Sequence, residues 1–167
     1  MKVRIAGFNR SSIVDGIGMR YTLFMQGCKH NCKGCQNPST HDLNGGVEID
    51  TDLIINDIKK SEYYDGITLS GGDPFFQLEA AKEIAKQVKE LGKTVWVYTG
   101  FTLEQILKDD KLKSLLEYTD VLVDGKFDIN KRTLNKRFVG SSNQRIIDIK
   151  KTLDTNEIIE FRGDTNE

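Results

Sequence analysis

No run of apolar residues in this sequence approaches the ~20 that a membrane-spanning helix requires. The first residues, Met1-Lys2-Val3-Arg4-Ile5, lack the apolar core of a secretory signal. Charge of one sign is not in excess either. The formal net charge is −1, which gives no electrostatic reason to expect nucleic acid or an anionic membrane as partner. No internal repeat or low-complexity tract is present, and no His/Asp or Ser/His constellation suggests general-base or nucleophilic catalysis. A cytoplasmic protein with reduced thiols is expected. The length suits a single domain over 1–167 with a core of its own, and the polar stretch from about 155 to 167 reads as a mobile tail.

What is scarce is also concentrated. All three cysteines lie within Cys28-Lys29-His30-Asn31-Cys32-Lys33-Gly34-Cys35, spaced C-x3-C-x2-C. Three thiols cannot pair into disulfides without a remainder, and no fourth cysteine completes a tetrahedral thiolate site. Soft thiolates select zinc, copper or iron–sulfur clusters. A cubane cluster has four irons and ordinarily four cysteine ligands, so three would leave one iron open to a small molecule. The same residues also allow a closed Cys3His zinc site with His30 or His41 as fourth ligand. Otherwise His41 reads as a solvated loop residue.

The rest of the chain alternates strands and helices. Val3 and Ile5 make Lys2 to Phe8 a short strand, placed at a sheet edge. Ser11 to Arg20, with Gly16 and Gly18, is a loop. Tyr21 to Met25 is a β-rich strand, so the cysteines follow its C-terminal end, where active sites of parallel α/β folds gather. Gln36 to Gly46 reads as a surface loop. Asp50 or Thr51 caps a helix to about Ser61 with Leu53, Ile54 and Ile58 on its buried stripe. The strand from Ile67 to Ser70 then runs into Gly71-Gly72-Asp73-Pro74. There Asp73 suits a helix N-cap and Pro74 the first helical position, while the glycines let backbone approach a ligand. A helix from Phe75 to Leu91 and a strand from Lys93 to Tyr98, with Trp96 in the core, come next. They are followed by a helical stretch from Leu103 to Tyr118, joined weakly near Asp109-Asp110, and a strand from Asp120 to Asp124. This order predicts an α/β fold with mainly parallel strands. A full (β/α)8 barrel takes ~200 or more residues. The four to five strands visible here therefore make a partial, open barrel, whose open side admits a loop of another protein.

With Cys28-x-His30-x-Cys32-x-Gly34-Cys35-x-Asn37, Ser70-Gly71-Gly72-Asp73-Pro74, Asp124-Gly125-Lys126-Phe127 and the late run Gly140-Ser141-Ser142-Asn143-Gln144-Arg145 in place, the chain resembles a known family. It is similar to the activating proteins of anaerobic ribonucleoside-triphosphate reductase, within the radical S-adenosylmethionine superfamily. The likeness runs from Asp15-Gly16-Ile17-Gly18-Met19-Arg20 to Arg145. It implies a barrel of the radical S-adenosylmethionine type and a 4Fe–4S cluster held by Cys28, Cys32 and Cys35. It also implies S-adenosylmethionine bound near Gly34, Cys35 and Gln36, with Gly71, Gly72 and Asp73 receiving its methionyl amine. The family often carries an aromatic residue after the third cysteine, where this chain has Gln36. The implied reaction is reductive cleavage of S-adenosylmethionine to a 5′-deoxyadenosyl radical, which takes hydrogen from a glycine of the reductase catalytic subunit. No protein side chain acts as acid or base, and an electron donor such as flavodoxin or ferredoxin is implied. Two alternatives stand beside this reading: an activator of another glycyl-radical enzyme, and a zinc-binding module without catalysis.

Overall fold

The computed structural model describes residues 1–35 and 38–162. Its centre is one sheet of seven strands in the order β3-β1-β2-β4-β5-β6-β7. β1 (Lys2–Ser12) pairs antiparallel with both β2 (Arg20–Met25) and β3 (Val47–Asp50). β2, β4 (Gly66–Gly71), β5 (Thr94–Tyr98) and β6 (Val121–Asp124) then run parallel to one another. β7 (Arg145–Asp148) closes the order antiparallel to β6. The end strands β3 and β7 do not pair, so the sheet forms a partial, open α/β barrel, as the alternation of elements predicts.

Helices follow the parallel strands because a crossover between parallel strands needs one. α1 (Thr51–Lys59) starts where the Asp50 carboxylate accepts the N–H of Asp52 at 2.9 Å. α2 (Leu78–Glu90) follows a 3-10 turn at Pro74–Gln77. The expected helix after β5 is broken into α3 (Leu103–Leu107), α4 (Asp110–Lys113) and a 3-10 turn at Ser114–Tyr118, with Asp109 capping the restart. α5 (Ile149–Thr155) comes last.

Period-two alternation divides the sheet between two cores. Leu23, Met25, Ile67, Leu69, Val95, Val97 and Leu122 turn toward the helices and pack with Ile54, Ile58, Ile84, Val88 and Leu103. Trp96, Val121, Val123 and Ile146 lie on the other, inner face with Phe138. Arg20 is buried there as well. It donates to Thr68 Oγ1, to Thr94 Oγ1 and to the carbonyls of Ile17, Ile67 and Thr94, with its guanidinium 5.8 Å from the Trp96 ring. Among the described residues no carboxylate pairs with it, and burial lowers its pKa to about 10. Arg20 and Trp96 together plug one end of the inner face. Gly16, at φ +133°, is needed because a Cβ would come within 2.8 Å of Arg20 Cδ and 2.9 Å of Trp96.

Four expectations are corrected. β1 is interior rather than an edge, because the unpredicted strand β3 flanks it. The strands number seven rather than four or five; β7 adds a further antiparallel edge. Leu53 is 60% exposed, and Ile55 takes its place on the buried stripe of α1. Part of the stretch expected to be mobile from about 155 is held against the sheet, as far as Phe161. Glu160 bridges to Ile147, the N–H of Phe161 donates to Ile146 O at 2.9 Å, and the Phe161 ring meets Trp96 at 5.3 Å.

Candidate active site

The segment after β2 is fixed by its own polar groups before any cofactor is considered. The buried Gln26 amide donates to the carbonyls of Ser39 and Asp42 at 3.0 and 2.8 Å. The N–H of Gly27 donates to Thr40 O and that of Cys28 to His41 O, at 2.6 and 3.2 Å. From the other side, the N–H of Asp73 donates to Gly27 O at 2.9 Å. Cys28 thus stands on a braced platform at the strand end. The N–H of Cys35 donates to Cys32 O at 3.2 Å, which closes the tight turn carrying the other two thiols.

Among the described residues none of the three cysteines is in a disulfide, and all three stand half-buried on the wall of one cavity of about 350 Å³. Gly71, Gly72, Thr99 and Gly100 contribute the ends of β4 and β5, and Phe24, Ser70 and Tyr98 lie on the inner face below. Burial pushes the Cys28 thiol up to about 11 and also raises Cys32. Both are therefore protonated at neutral pH and must release protons when a metal binds.

Asp73 is engaged by the protein itself. It is fully buried, lies off the cavity wall, and spends both carboxylate oxygens inside the protein. Oδ1 accepts the N–H of Phe75 at 2.9 Å, the N-cap bond expected from the sequence. Oδ2 accepts from Thr99 Oγ1 at 2.8 Å and from the N–H of Gly100 at 2.9 Å, and lies 2.6 Å from His30 Nε2. The His30 ring is wedged between Phe76 and Phe101, with centroids at 5.3 and 4.6 Å. A Cβ on Gly100 would come within 2.5 Å of that ring. His30, proposed above as a zinc ligand, is instead a clasp between the cysteine turn and the ends of two strands.

The remaining expected residues divide. Gly71 and Gly72 lie on the cavity wall. Gly34 does not; it is exposed, at φ +73°, and the position of its Cβ is filled by Ile129 Cδ1 at 2.4 Å. Gln36 lies outside the described residues. His41, read as solvated, is half-buried with Nε2 3.3 Å from Cys35 Sγ. The Cys3His alternative placed His41 beside the cysteines, whereas the reading of it as a solvated loop residue did not. Among the described residues, no three His, Cys, Asp or Glu groups converge as ligands of a single metal ion. Asp124 holds Arg145 and the N–H of Leu103, and Asn143 donates to Lys126 O.

An open α/β barrel with three thiols on a cavity at its strand ends is an arrangement suited to a single iron–sulfur cluster. The comparisons agree. The family described as "4Fe-4S single cluster domain" matches residues 14–147. The fold is shared with QueE from Escherichia coli at a TM-score of 0.51 and 13% identity, covering 61% of this chain and 54% of that one. More particularly, this chain is 42% identical to the anaerobic ribonucleoside-triphosphate reductase-activating protein of Vibrio cholerae over 142 residues, 80% of this chain and 90% of that relative. It is 38% identical to the protein of the same name from Escherichia coli strain K12, over 79% of this chain and 90% of the relative. For the one from Enterobacteria phage T4 the identity is 36%, over 80% and 86%. The chain belongs to this family of activating proteins, and it carries an iron–sulfur cluster.

Proposed function

We propose that this protein activates anaerobic ribonucleoside-triphosphate reductase by forming a glycyl radical on its catalytic subunit. Cys28, Cys32 and Cys35 would hold a 4Fe–4S cluster, and S-adenosylmethionine would bind the remaining iron beside the backbone of Gly71 and Gly72. When bound, these two groups supply a one-electron reductive cleavage of S-adenosylmethionine and the hydrogen-atom abstraction that follows from it. One observation carries the reading: the three thiols and the Gly71–Gly72 backbone share one cavity wall. The donor set fits, since soft thiols outside any disulfide suit an iron–sulfur cluster and three leave a ligand position open.

The chain's own residues orient and enclose. His30 and Asp73 fix the cysteine turn against β4 and β5. Asp73 acts through these contacts rather than on the methionyl amine, which is left to backbone groups of Gly71 and Gly72. Phe24, Phe138 and Val139 give the cavity apolar walls that exclude water from reactive species. An electron donor such as flavodoxin or ferredoxin, and a reducing cytoplasm, complete the reading. Among the described residues no helix is long and apolar enough to cross a membrane.

The test mixes the reduced, cluster-loaded protein with S-adenosylmethionine and the reductase, without oxygen. A glycyl-radical doublet should appear in the electron paramagnetic resonance spectrum and vanish when the radical-site glycine of the reductase becomes alanine. Turnover of a small molecule with no partner, or a radical formed only on an unrelated glycyl-radical enzyme, would overturn the proposal.

A further inference from the structure

The segment between β6 and β7 contains two runs of the sequence, Asp124-Gly125-Lys126-Phe127 and Gly140 to Arg145, that the chemistry above leaves unused. Together they build an arm beside the cavity. Arg132 bridges to Ser141, the N–H of Thr133 donates to Gly140 O, and that of Ser142 donates to Lys131 O. Gln144 clamps the base: Oε1 accepts the N–H groups of Gly140 and Ser141, while Nε2 donates to Gly125 O. Asn143 adds a bond to Lys126 O at 2.9 Å. Phe138 pins the arm to the barrel, its ring 5.2 Å from Trp96. It does so at φ +70°, a conformation that a bulky residue adopts only where surrounding contacts hold it.

What this rigid arm presents is unusual for the chain. Residues 126–137 hold five basic side chains against one acidic residue, Asp128, a net +4 in a protein of net charge −1. Lys126, Lys131 and Arg132 are exposed and form no ion pair with any described residue. Leu134, near the tip, is 90% exposed, and Ile13 and Val14 of the β1–β2 loop are 63% and 69% exposed. Val14, Arg132 and Leu134 all lie on the cavity wall, so this surface runs into the cysteine site. Exposed apolar side chains within a polar rim mark a contact surface, and the apolar component favours a polypeptide over a nucleic acid.

We infer that the 126–142 arm docks the protein substrate, taking an acidic segment of the partner that carries an apolar side chain beside its radical-site glycine. This rests on the function proposed above and adds the chemistry of recognition. Because the arm is ordered by its own hydrogen bonds, docking need not order it. The unpaired basic residues would speed encounter with an acidic surface, in a salt-dependent manner. Leu134 and Val14 would then grip at short range.

The test uses cluster-loaded protein and intact reductase. Charge reversal in the double variant K126E/K131E, at exposed residues off the cavity wall, should raise the apparent KM for the reductase about tenfold at low ionic strength and flatten its dependence on salt. Leu134→Ser should raise KM at every salt concentration. The dissociation constant for S-adenosylmethionine, measured calorimetrically, should stay within about twofold for the charge-reversal variant, whose residues lie off the cavity wall. Unchanged KM and salt dependence would overturn the inference. So would a loss of S-adenosylmethionine affinity with partner binding intact, which would assign the basic residues to the methionyl carboxylate, or a tighter complex with an oligonucleotide than with the reductase. If the wild-type protein forms no radical on the reductase, the functional reading fails; if wild type and variants form it equally well, only the arm's role does.

Discussion

Asp73 receives four hydrogen bonds from three separate segments, which makes it the residue most sensitive to substitution around the site. Asp73→Asn would turn a donor toward donors and is expected to cost about 3 kcal/mol in denaturant unfolding of the apoprotein. His30→Phe keeps a ring between Phe76 and Phe101 but leaves Asp73 Oδ2 one donor short, for a loss of about 1–3 kcal/mol. His30→Gln retains an N–H and should recover part of that stability and of the iron bound per chain. Equal stability and equal iron in the two His30 variants would show that the imidazole only fills space. The cap made by Asp73 was legible because Phe75 is two residues away. Its bond to His30 spans 43 residues, and no local pattern encodes that pairing. The thiols carry a pH signature too. Burial raises Cys28 from its ordinary value of 9.0 to about 11, so between those pH values the folded apoprotein binds more protons than the unfolded chain. Its stability is therefore present in full below pH 9 and declines as pH rises toward 11. Cys28→Ser should remove part of that slope in thermal unfolding followed against pH.

At the scale of elements, the turn between β4 and α2 is built for chain-to-chain contact as much as for a ligand. A Cβ on Gly72 would lie 2.4 Å from Gly27 O and 2.9 Å from Thr40 O, the backbone that supports Cys28. Gly72→Val is thus expected to lower Tm, by an overpacking cost of about 1–3 kcal/mol, and to reduce cluster loading together with cofactor affinity. Full iron content in that variant, with only cofactor binding weakened, would restore the simpler view that the glycine makes room for ligand alone. The parallel strands and α2 were readable because long apolar periodicity is set by burial on known faces. β3, β7 and α5 were not. They span four, four and seven residues, too short for periodicity to rise above their polar surroundings. The inner face also misleads a reader of sequence, since Arg20, Thr22 and Thr68 occupy positions where a buried strand would ordinarily show apolar residues.

The molecule as a whole is a barrel with a wall missing: β3 and β7 end the sheet without meeting. Amide hydrogen exchange offers a direct check on what completes it. Addition of the reductase should slow exchange in residues 13–14 and 131–134, where the cavity opens, and leave α1 and α2 on the opposite face unchanged. Protection confined to the helices would place the partner on the wrong side. The architecture was legible from the βα order, but the arm over the cavity was not, because hydrogen bonds rather than apolar periodicity hold it. The missing wall also sets how the protein must be handled. A cavity that admits a loop of another protein admits dissolved gases more readily still, so the brown colour of the isolated, cluster-loaded protein should bleach quickly in air. In a complex with the reductase, whose loop would fill that opening, the same colour should persist several-fold longer.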